Sequence, residues 1–182
     1  VDPAGPVLSC CFIAGVQITM ADGSYKNIED VKIDDEVKTH NGINTVKGFR
    51  RPLLGDRKLH DVNGTGEYFA TTDHMFMTSN GWKSVDPEMT RARYTHMAHL
   101  LEGELDTTAT VITEAGSVEV DSLDISPVND PDTQLYDLTI NEDETYFVNG
   151  FLVHNHSMVR PIPSVDPVIP RMIPNITSSN TS

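Results

Sequence analysis

The sequence of 182 residues lacks the features of membrane and secreted proteins. It has no apolar run long enough to span a bilayer and no signal-peptide pattern. Its two cysteines, Cys10 and Cys11, are neighbours, and a disulfide between neighbours closes a strained ring, so no disulfide framework can form. We therefore expect reduced cysteines, a cytoplasmic location and no membrane partner. Because the chain starts at Val1 rather than Met, we also expect it to be a segment of a longer protein.

Positive charge is scarce. The formal net charge is -14, and no Lys or Arg lies between Arg93 and Arg160, an interval that holds thirteen Asp and Glu residues. Such a surface repels phosphate backbones, so we expect no nucleic-acid partner. We interpret the acidic stretch as a solvated surface rather than a cation site. We expect a monomer that needs no cofactor.

Helical periodicity is weak, with a single candidate turn at 26–31, whereas turn signals are dense. Five Asp-Gly or Asn-Gly dipeptides favour hairpin turns. Short runs rich in β-branched and aromatic residues lie between them. The sequence therefore predicts an all-β domain of many short strands, placed at 16–20, 36–39, 43–49, 67–71, 107–113, 117–120, 135–140, 145–148 and 151–154.

Composition divides the chain into three parts. Residues 1–10 form an N-terminal flanking segment, and residues 11–155 contain the strand pattern. Residues 156–182 hold five prolines and seven Ser or Thr without alternation, which predicts a flexible C-terminal flank. Reactive residue types, a cysteine and an asparagine, thus stand at the two boundaries of the predicted domain.

Cys11 can attack the carbonyl of Cys10 and convert that peptide bond into a thioester. The departing amide nitrogen needs a proton, and His74 can supply one because histidine titrates near neutral pH. Thr71, three residues earlier, can hydrogen-bond the same group. These residue types predict thiol chemistry at the 10–11 bond.

Asn155 offers a second reaction at the other boundary. Its side-chain nitrogen can attack its own carbonyl, form a succinimide and break the 155–156 bond. His154 can protonate the leaving group or polarise the carbonyl. The chain therefore holds the residue types needed to cut a polypeptide at two points.

Together these stretches resemble the Hint domain of inteins, bacterial intein-like domains and hedgehog autoprocessing domains. The similarity covers residues 11–155, about four-fifths of the chain. The matching stretches are residues 11–23 (CFIAGVQITMADG), 28–37 (IEDVKIDDEV), 70–74 (ATTDH), 136–140 (YDLTI) and 146–155 (YFVNGFLVHN).

The resemblance implies a β-rich horseshoe of pseudo-twofold symmetry that brings its two ends together at one site. It also implies that Asp137 lies near the Cys11 sulfur and tunes its ionisation. No insertion is large enough for a homing endonuclease. The catalytic residues implied are Cys11, Thr71, His74, Asp137, His154 and Asn155.

Three departures from the family pattern affect the expected outcome. His156 follows the last residue, where splicing inteins carry Cys, Ser or Thr, and imidazole cannot accept the acyl group; this departure is typical of bacterial intein-like domains. Glu144 replaces a frequent histidine, which predicts slower or more pH-dependent proton transfer at the C-terminal junction. Val16 and Asp34 replace the usual Thr and Gly, which we interpret as tolerable variation.

The leading hypothesis is autocatalytic processing in cis, a single turnover rather than an enzyme cycle. It predicts cleavage at the 10–11 and 155–156 bonds, with low-efficiency splicing, and the chain's own flanking segments as its partners. One alternative is an idle Hint fold that serves as a structural or interaction module in a larger protein. Another is an inhibitory metal site at Cys11, His74 and a carboxylate, although a closed zinc site needs more ligands.

Overall fold

The computed structural model describes residues 10–155, so the predicted flank at 156–182 and residues 1–9 lie outside the described residues. Strands predominate within them, which confirms the prediction of an all-β fold. In chain order the strands are β1 (Phe12–Ile13), β2 (Gln17–Thr19), β3 (Tyr25–Asn27), β4 (Glu36–Thr39), β5 (Gly42–Arg50), β6 (Leu59–Val62), β7 (Ala70–Thr71), β8 (Phe76–Thr78), β9 (Gly81–Ser84), β10 (Leu101–Glu104), β11 (Thr110–Thr113), β12 (Gly116–Glu119), β13 (Leu123–Ile125), β14 (Leu135–Ile140), β15 (Thr145–Val148) and β16 (Phe151–His154).

Helical structure is limited to short segments. The α-helix α1 is Pro87–Arg93, and 3-10 turns occupy Ile28–Asp30 and Ala98–Leu100. The single helical turn predicted at 26–31 was partly wrong, because β3 occupies the first of those positions and the turn after it is only three residues long. No α-helix between residues 10 and 155 is both long and apolar enough to cross a bilayer.

The strands form two sheets. The first has the order β13-β6-β7-β1-β14-β5-β4, and the second has the order β10-β9-β8-β11-β16-β15-β2-β3, with β12 paired to β11. β1, which follows Cys11, lies inside the first sheet, and β16, which ends at His154, lies inside the second. The two ends of the predicted domain are therefore each held by strands on both sides.

A short connection between the sheets brings these two ends together. β7 pairs with β1 through Ala70 opposite Phe12, and β8 pairs with β16 through Phe76 opposite Val153. The connection of residues 72–75 joins β7 to β8 and thus passes from the first sheet to the second. A second connection, residues 141–144, joins β14 to β15 in the same way.

Aromatic rings pack beneath the first connection. Phe69 stacks on Phe151, with ring centroids 5.8 Å apart, and Phe76 meets Phe151 edge-on at 5.8 Å. All three rings are buried, and burial of each stabilises the fold by roughly 1.5–3 kcal/mol. The packing fixes the start of β8 and therefore the position of the connection.

Asp34 shows how a departure from the family pattern is accommodated. Its φ is 75°, in the left-handed region that favours glycine, and its N–H donates to the Val46 carbonyl at 2.8 Å. Aspartate tolerates this conformation better than most residues. The backbone at this position keeps a turn that glycine would adopt without strain.

Candidate active site

The N-terminal junction is built on Cys11 and Thr71. The amide N–H of Cys11, which is the nitrogen of the 10–11 bond, donates to Thr71 Oγ1 at 3.0 Å. The Thr71 N–H donates to the Cys11 carbonyl at 2.9 Å, and both residues are fully buried. Pairing of β7 with β1 thus holds the 10–11 amide from its nitrogen side.

Asp137 lies on the other side of Cys11. β1 pairs with β14 antiparallel, with Phe12 opposite Tyr136, so the next position in register sets Cys11 opposite Asp137. Residues opposite one another in such a pair point to the same face, with Cβ atoms about 4.5–5.5 Å apart. Continued by one position, this register puts the Asp137 carboxyl on the same face of the sheet as the Cys11 thiol. That Asp137 tunes the thiol stays a prediction.

The Asp137 carboxyl has an unusual environment. Its Oδ1 accepts hydrogen bonds from the Leu138 N–H at 2.8 Å and from the Tyr146 hydroxyl, while Oδ2 has no hydrogen-bond partner among residues 10–155. Burial raises the pKa of this carboxyl well above its ordinary range, and the two hydrogen bonds only oppose the shift. A carboxylate with a raised pKa is a stronger base, better matched to a thiol.

His74 connects the two junctions. Its Nε2 lies 2.8 Å from the His154 carbonyl oxygen. A carbonyl can only accept, so Nε2 carries the proton and Nδ1 is the basic nitrogen of the neutral ring. The ring packs against Phe12, with centroids 4.1 Å apart. The residue that follows Cys11 and the last strand therefore hold the same histidine.

The C-terminal junction is contacted at its carbonyl. His154 Nδ1 lies 2.7 Å from the carbonyl oxygen of Asn155, which is the carbonyl of the 155–156 bond. Nδ1 must be the donor, so the contact polarises this carbonyl. The His154 ring is buried edge-on against Trp82 at 5.0 Å. Burial lowers the pKa of His154 from its ordinary value of 6.5, and the Asn155 carbonyl and Glu144 carboxylate oppose that shift.

Backbone contacts hold the Asn155 side chain. The backbone N–H of Asn155 donates to the Glu144 carbonyl at 2.9 Å. Turned so that donors face acceptors, its amide accepts from the Ile140 N–H at 2.7 Å and donates through Nδ2 to the Glu144 carbonyl at 3.0 Å. The residue is 1% exposed. The second connection between the sheets thus fixes the asparagine that could cyclise.

Glu144 ends that second connection in the left-handed region, with a φ of 60°. Its Oε1 lies 3.6 Å from His154 Nε2, and half of its side chain is exposed. Strained residues of this kind cluster at functional sites. Glu144 occupies the position at which many inteins carry a histidine, and its carboxylate lies beside His154.

Sequence reasoning missed the residues that support this site. Tyr146 binds the Asp137 carboxyl, although it stands inside one of the matching stretches. Asp73, between Thr71 and His74, is buried with its Oδ2 2.9 Å from the Tyr94 hydroxyl and 3.9 Å from Arg57. Only proximity to Thr71 and His74 in the sequence could have drawn attention to Asp73.

The remaining predictions concern Cys10, His156 and a metal site. Cys10 is buried, and neither cysteine is in a disulfide among the described residues. His156 lies outside the described residues. No group of three or more His, Cys, Asp or Glu side chains that could hold a metal is found within residues 10–155, so the metal interpretation lacks a third ligand there.

Comparison with solved structures identifies the fold. A bacterial intein-like domain from Clostridium thermocellum superposes with a TM-score of 0.60 at 22% identity, over 80% of this chain and 98% of that one. The gp41-1 intein gives 0.57 at 14% identity, over 80% and 98%. A DnaB intein from Synechocystis sp. PCC 6803 gives 0.56 at 16% identity, over 82% and 100%.

The chain therefore has the all-β Hint fold of inteins and of a bacterial intein-like domain. No family model and no curated protein matches the sequence, so the likeness is one of structure. At these identities it establishes the fold, and the chemistry has to be argued from the residues themselves.

Proposed function

We propose that this chain is a self-processing domain that cleaves its own 10–11 and 155–156 bonds. The observation that carries the proposal is the segment of residues 71–74, which runs from the end of β7 into the connection to β8. Thr71, at its start, contacts the nitrogen of the first bond, and His74 contacts the carbonyl of the residue before Asn155. One four-residue segment thus meets both reactive ends of the domain.

At the N-terminal junction the reaction is an acyl shift from nitrogen to sulfur. The Cys11 sulfur attacks the Cys10 carbonyl carbon, a carbon–sulfur bond forms, and the carbon–nitrogen bond breaks. The thiol proton has to reach the Cys11 nitrogen. Asp137 can take that proton from the thiol, and Thr71 holds the nitrogen in place while it leaves.

At the C-terminal junction Asn155 is its own nucleophile. Nδ2 attacks the Asn155 carbonyl carbon and loses one proton, while the nitrogen of residue 156 gains one as the bond breaks. His154 Nδ1–H supports the charge that develops on the carbonyl oxygen. Glu144 modulates the step because its carboxylate favours the protonated form of His154.

Cleavage rather than splicing is the expected main outcome, because water or an added thiol can attack the Cys10 carbonyl of the thioester, break its bond to the Cys11 sulfur and release residues 1–10. His156 offers no hydroxyl or thiol to receive the acyl group from the thioester, so ligation of the two flanks is inefficient. The partners in this proposal are the chain's own flanking segments, and the products form once per chain. The chemistry needs Cys11 as a thiol, which favours a reducing compartment such as the cytoplasm.

Interception of the thioester tests the proposal at its first step. Dithiothreitol or hydroxylamine added to the full chain should release residues 1–10, and Cys11→Ala should abolish the release. Cys10→Ala is the matched control, because it removes the neighbouring thiol and should still cleave. An unmodified chain that resists both reagents would instead favour the idle structural module.

A further inference from the structure

Cys10 belongs to the flanking segment, yet its side chain is enclosed by the domain. It is 2% exposed and packs in a cluster separate from the main core. The cluster also receives the half-buried side chains of Trp82 and Leu100. The other buried side chains of this cluster are Met75, Tyr94, Met97 and Leu101.

Most of this enclosure comes from a segment that no proposed chemical step uses. Tyr94, Met97 and Leu101 lie between the end of α1 and the start of β10. Backbone hydrogen bonds hold the segment: Met97 N–H to Tyr94 O at 2.8 Å, and Leu100 N–H to Met97 O at 2.9 Å. The wall of the pocket is therefore fixed by its own turns.

A buried carboxylate anchors the same wall. The Tyr94 hydroxyl donates to Asp73 Oδ2 at 2.9 Å, and Oδ1 of that carboxyl has no hydrogen-bond partner within residues 10–155. Burial raises the pKa of the Cys10 thiol, and the charges of Asp137 and Asp73 raise it further. The surroundings of Cys10 are thus apolar in contact and unfavourable to negative charge.

We propose that Met75, Tyr94, Met97 and Leu101 form a subsite that selects a compact, uncharged side chain immediately before the N-terminal scissile bond. The subsite rests on the proposed function, since its effect is to dock the Cys10 carbonyl against the Cys11 sulfur. A side chain that does not enter it leaves the carbonyl out of line for attack.

Charge is tested with a matched pair. Cys10→Asn and Cys10→Asp have nearly the same shape, and dithiothreitol-induced release of residues 1–10 is timed for both in the full chain. Near neutral pH the Asp variant should cleave on the order of tenfold more slowly than the Asn variant, because its carboxylate must be buried or protonated. The difference in release rate between the two variants should become smaller as pH falls. Equal rates at neutral pH would overturn the selection against charge.

Size is tested by compensation. Cys10→Leu should slow release on the order of tenfold through overpacking, and Met97→Ala in the same chain should restore most of the rate. Met89→Ala is the control, because Met89 is a half-buried methionine of α1 outside the cluster. Rescue by both alanines, or by neither, would contradict a subsite formed by Met97.

An independent measurement separates this inference from the proposed function. In a Cys11→Ala background no thioester can form, and the unfolding midpoint is compared for Cys10, Cys10→Asn and Cys10→Asp. The subsite predicts a lower midpoint for Asp than for Asn whether or not the unmodified chain cleaves. Loss of cleavage in the unmodified chain with that difference intact would refute the proposed function alone, whereas identical midpoints would refute the subsite.

Discussion

The two junctions are held on opposite sides of their peptide bonds. At the N-terminal junction the protein holds the leaving nitrogen, through the Cys11 N–H on Thr71. At the C-terminal junction it holds the carbonyl oxygen, through His154 Nδ1 on Asn155. In the proposed mechanism the first bond is thus held at its nitrogen, and the second at its carbonyl oxygen.

The carboxylic acids near the two junctions differ in their exposure to solvent. Asp137 is fully buried in β14, opposite the position of Cys11. Glu144 is half exposed beside His154, so solvent and pH reach it directly. The two proposed reactions therefore differ in how open their acids are to solvent.

The largest effect should come from removing each nucleophile. Asn155→Ala should abolish loss of residues 156–182 and leave thiol-induced release of residues 1–10 intact, whereas Cys11→Ala should do the reverse. Gel and mass analysis of both variants gives the two cleavages separately. If either substitution stopped both, the junctions would not be independent.

A smaller but still large effect is expected from the buried acid. Asp137→Asn keeps the shape but removes the base, so thioester formation should slow by roughly 100-fold or more. C-terminal cleavage should change only a few-fold, because no step there uses this carboxyl. Asp132→Asn, at an exposed position, is the control. Equal slowing at both junctions would mean that Asp137 acts on the fold and not on the thiol.

The exposed acid should give a moderate, pH-dependent effect. The pKa of His154 is lowered from 6.5, so its charged form, the stronger donor, appears only below that pH, and C-terminal cleavage should accelerate as pH falls. Glu144 raises this pKa. Glu144→Gln should therefore shift the acceleration of cleavage to lower pH, so the variant should cleave more slowly than the unmodified chain at pH values between the midpoints of their two pH profiles. If Glu144→Gln left the pH profile of C-terminal cleavage unchanged, Glu144 would have no role in the mechanism.

The pH dependence of stability has to be distinguished from the pH dependence of cleavage, and a substitution at His60 separates the two. This fully buried ring has no hydrogen-bond partner for either nitrogen within residues 10–155, and burial lowers its pKa from 6.5 to about 4. Stability from this group is complete above pH 6.5 and falls as pH decreases to about 4, by about 3 kcal/mol. His60→Phe should remove that loss, measured by denaturant unfolding, and leave the acid acceleration of cleavage. If His60→Phe still lost the full stability at low pH, that loss would come from other titrating groups.

The sequence predicted the fold better than the site's supports. Most predicted strands are present because alternating patterns and Asn-Gly turns are local signals. α1 was missed, although Asp86 accepts from the Met89 N–H at 3.1 Å as its N-cap and Pro87 begins it. Those signals are local too, but the helix has only seven residues and little periodicity.

The supporting residues could not be predicted for a different reason. Asp73 and Arg57 meet across sixteen positions of chain, and Glu144 reaches His154 only through the second connection between the sheets. Such contacts depend on how strands from the two sheets pair, which no local pattern encodes. The junction residues stay predictions, and they could be proposed from the sequence because the chemistry restricts the residue types.

Intact mass of the freshly made full chain, with and without dithiothreitol, tests self-cleavage most directly. Without thiol, the account predicts a product ending at Asn155 that is one water lighter than its hydrolysed form, the signature of a succinimide. With thiol, residues 1–10 should also be released. A single species at the full 20.1 kDa under both conditions, after long incubation at mildly acidic and neutral pH, would contradict it.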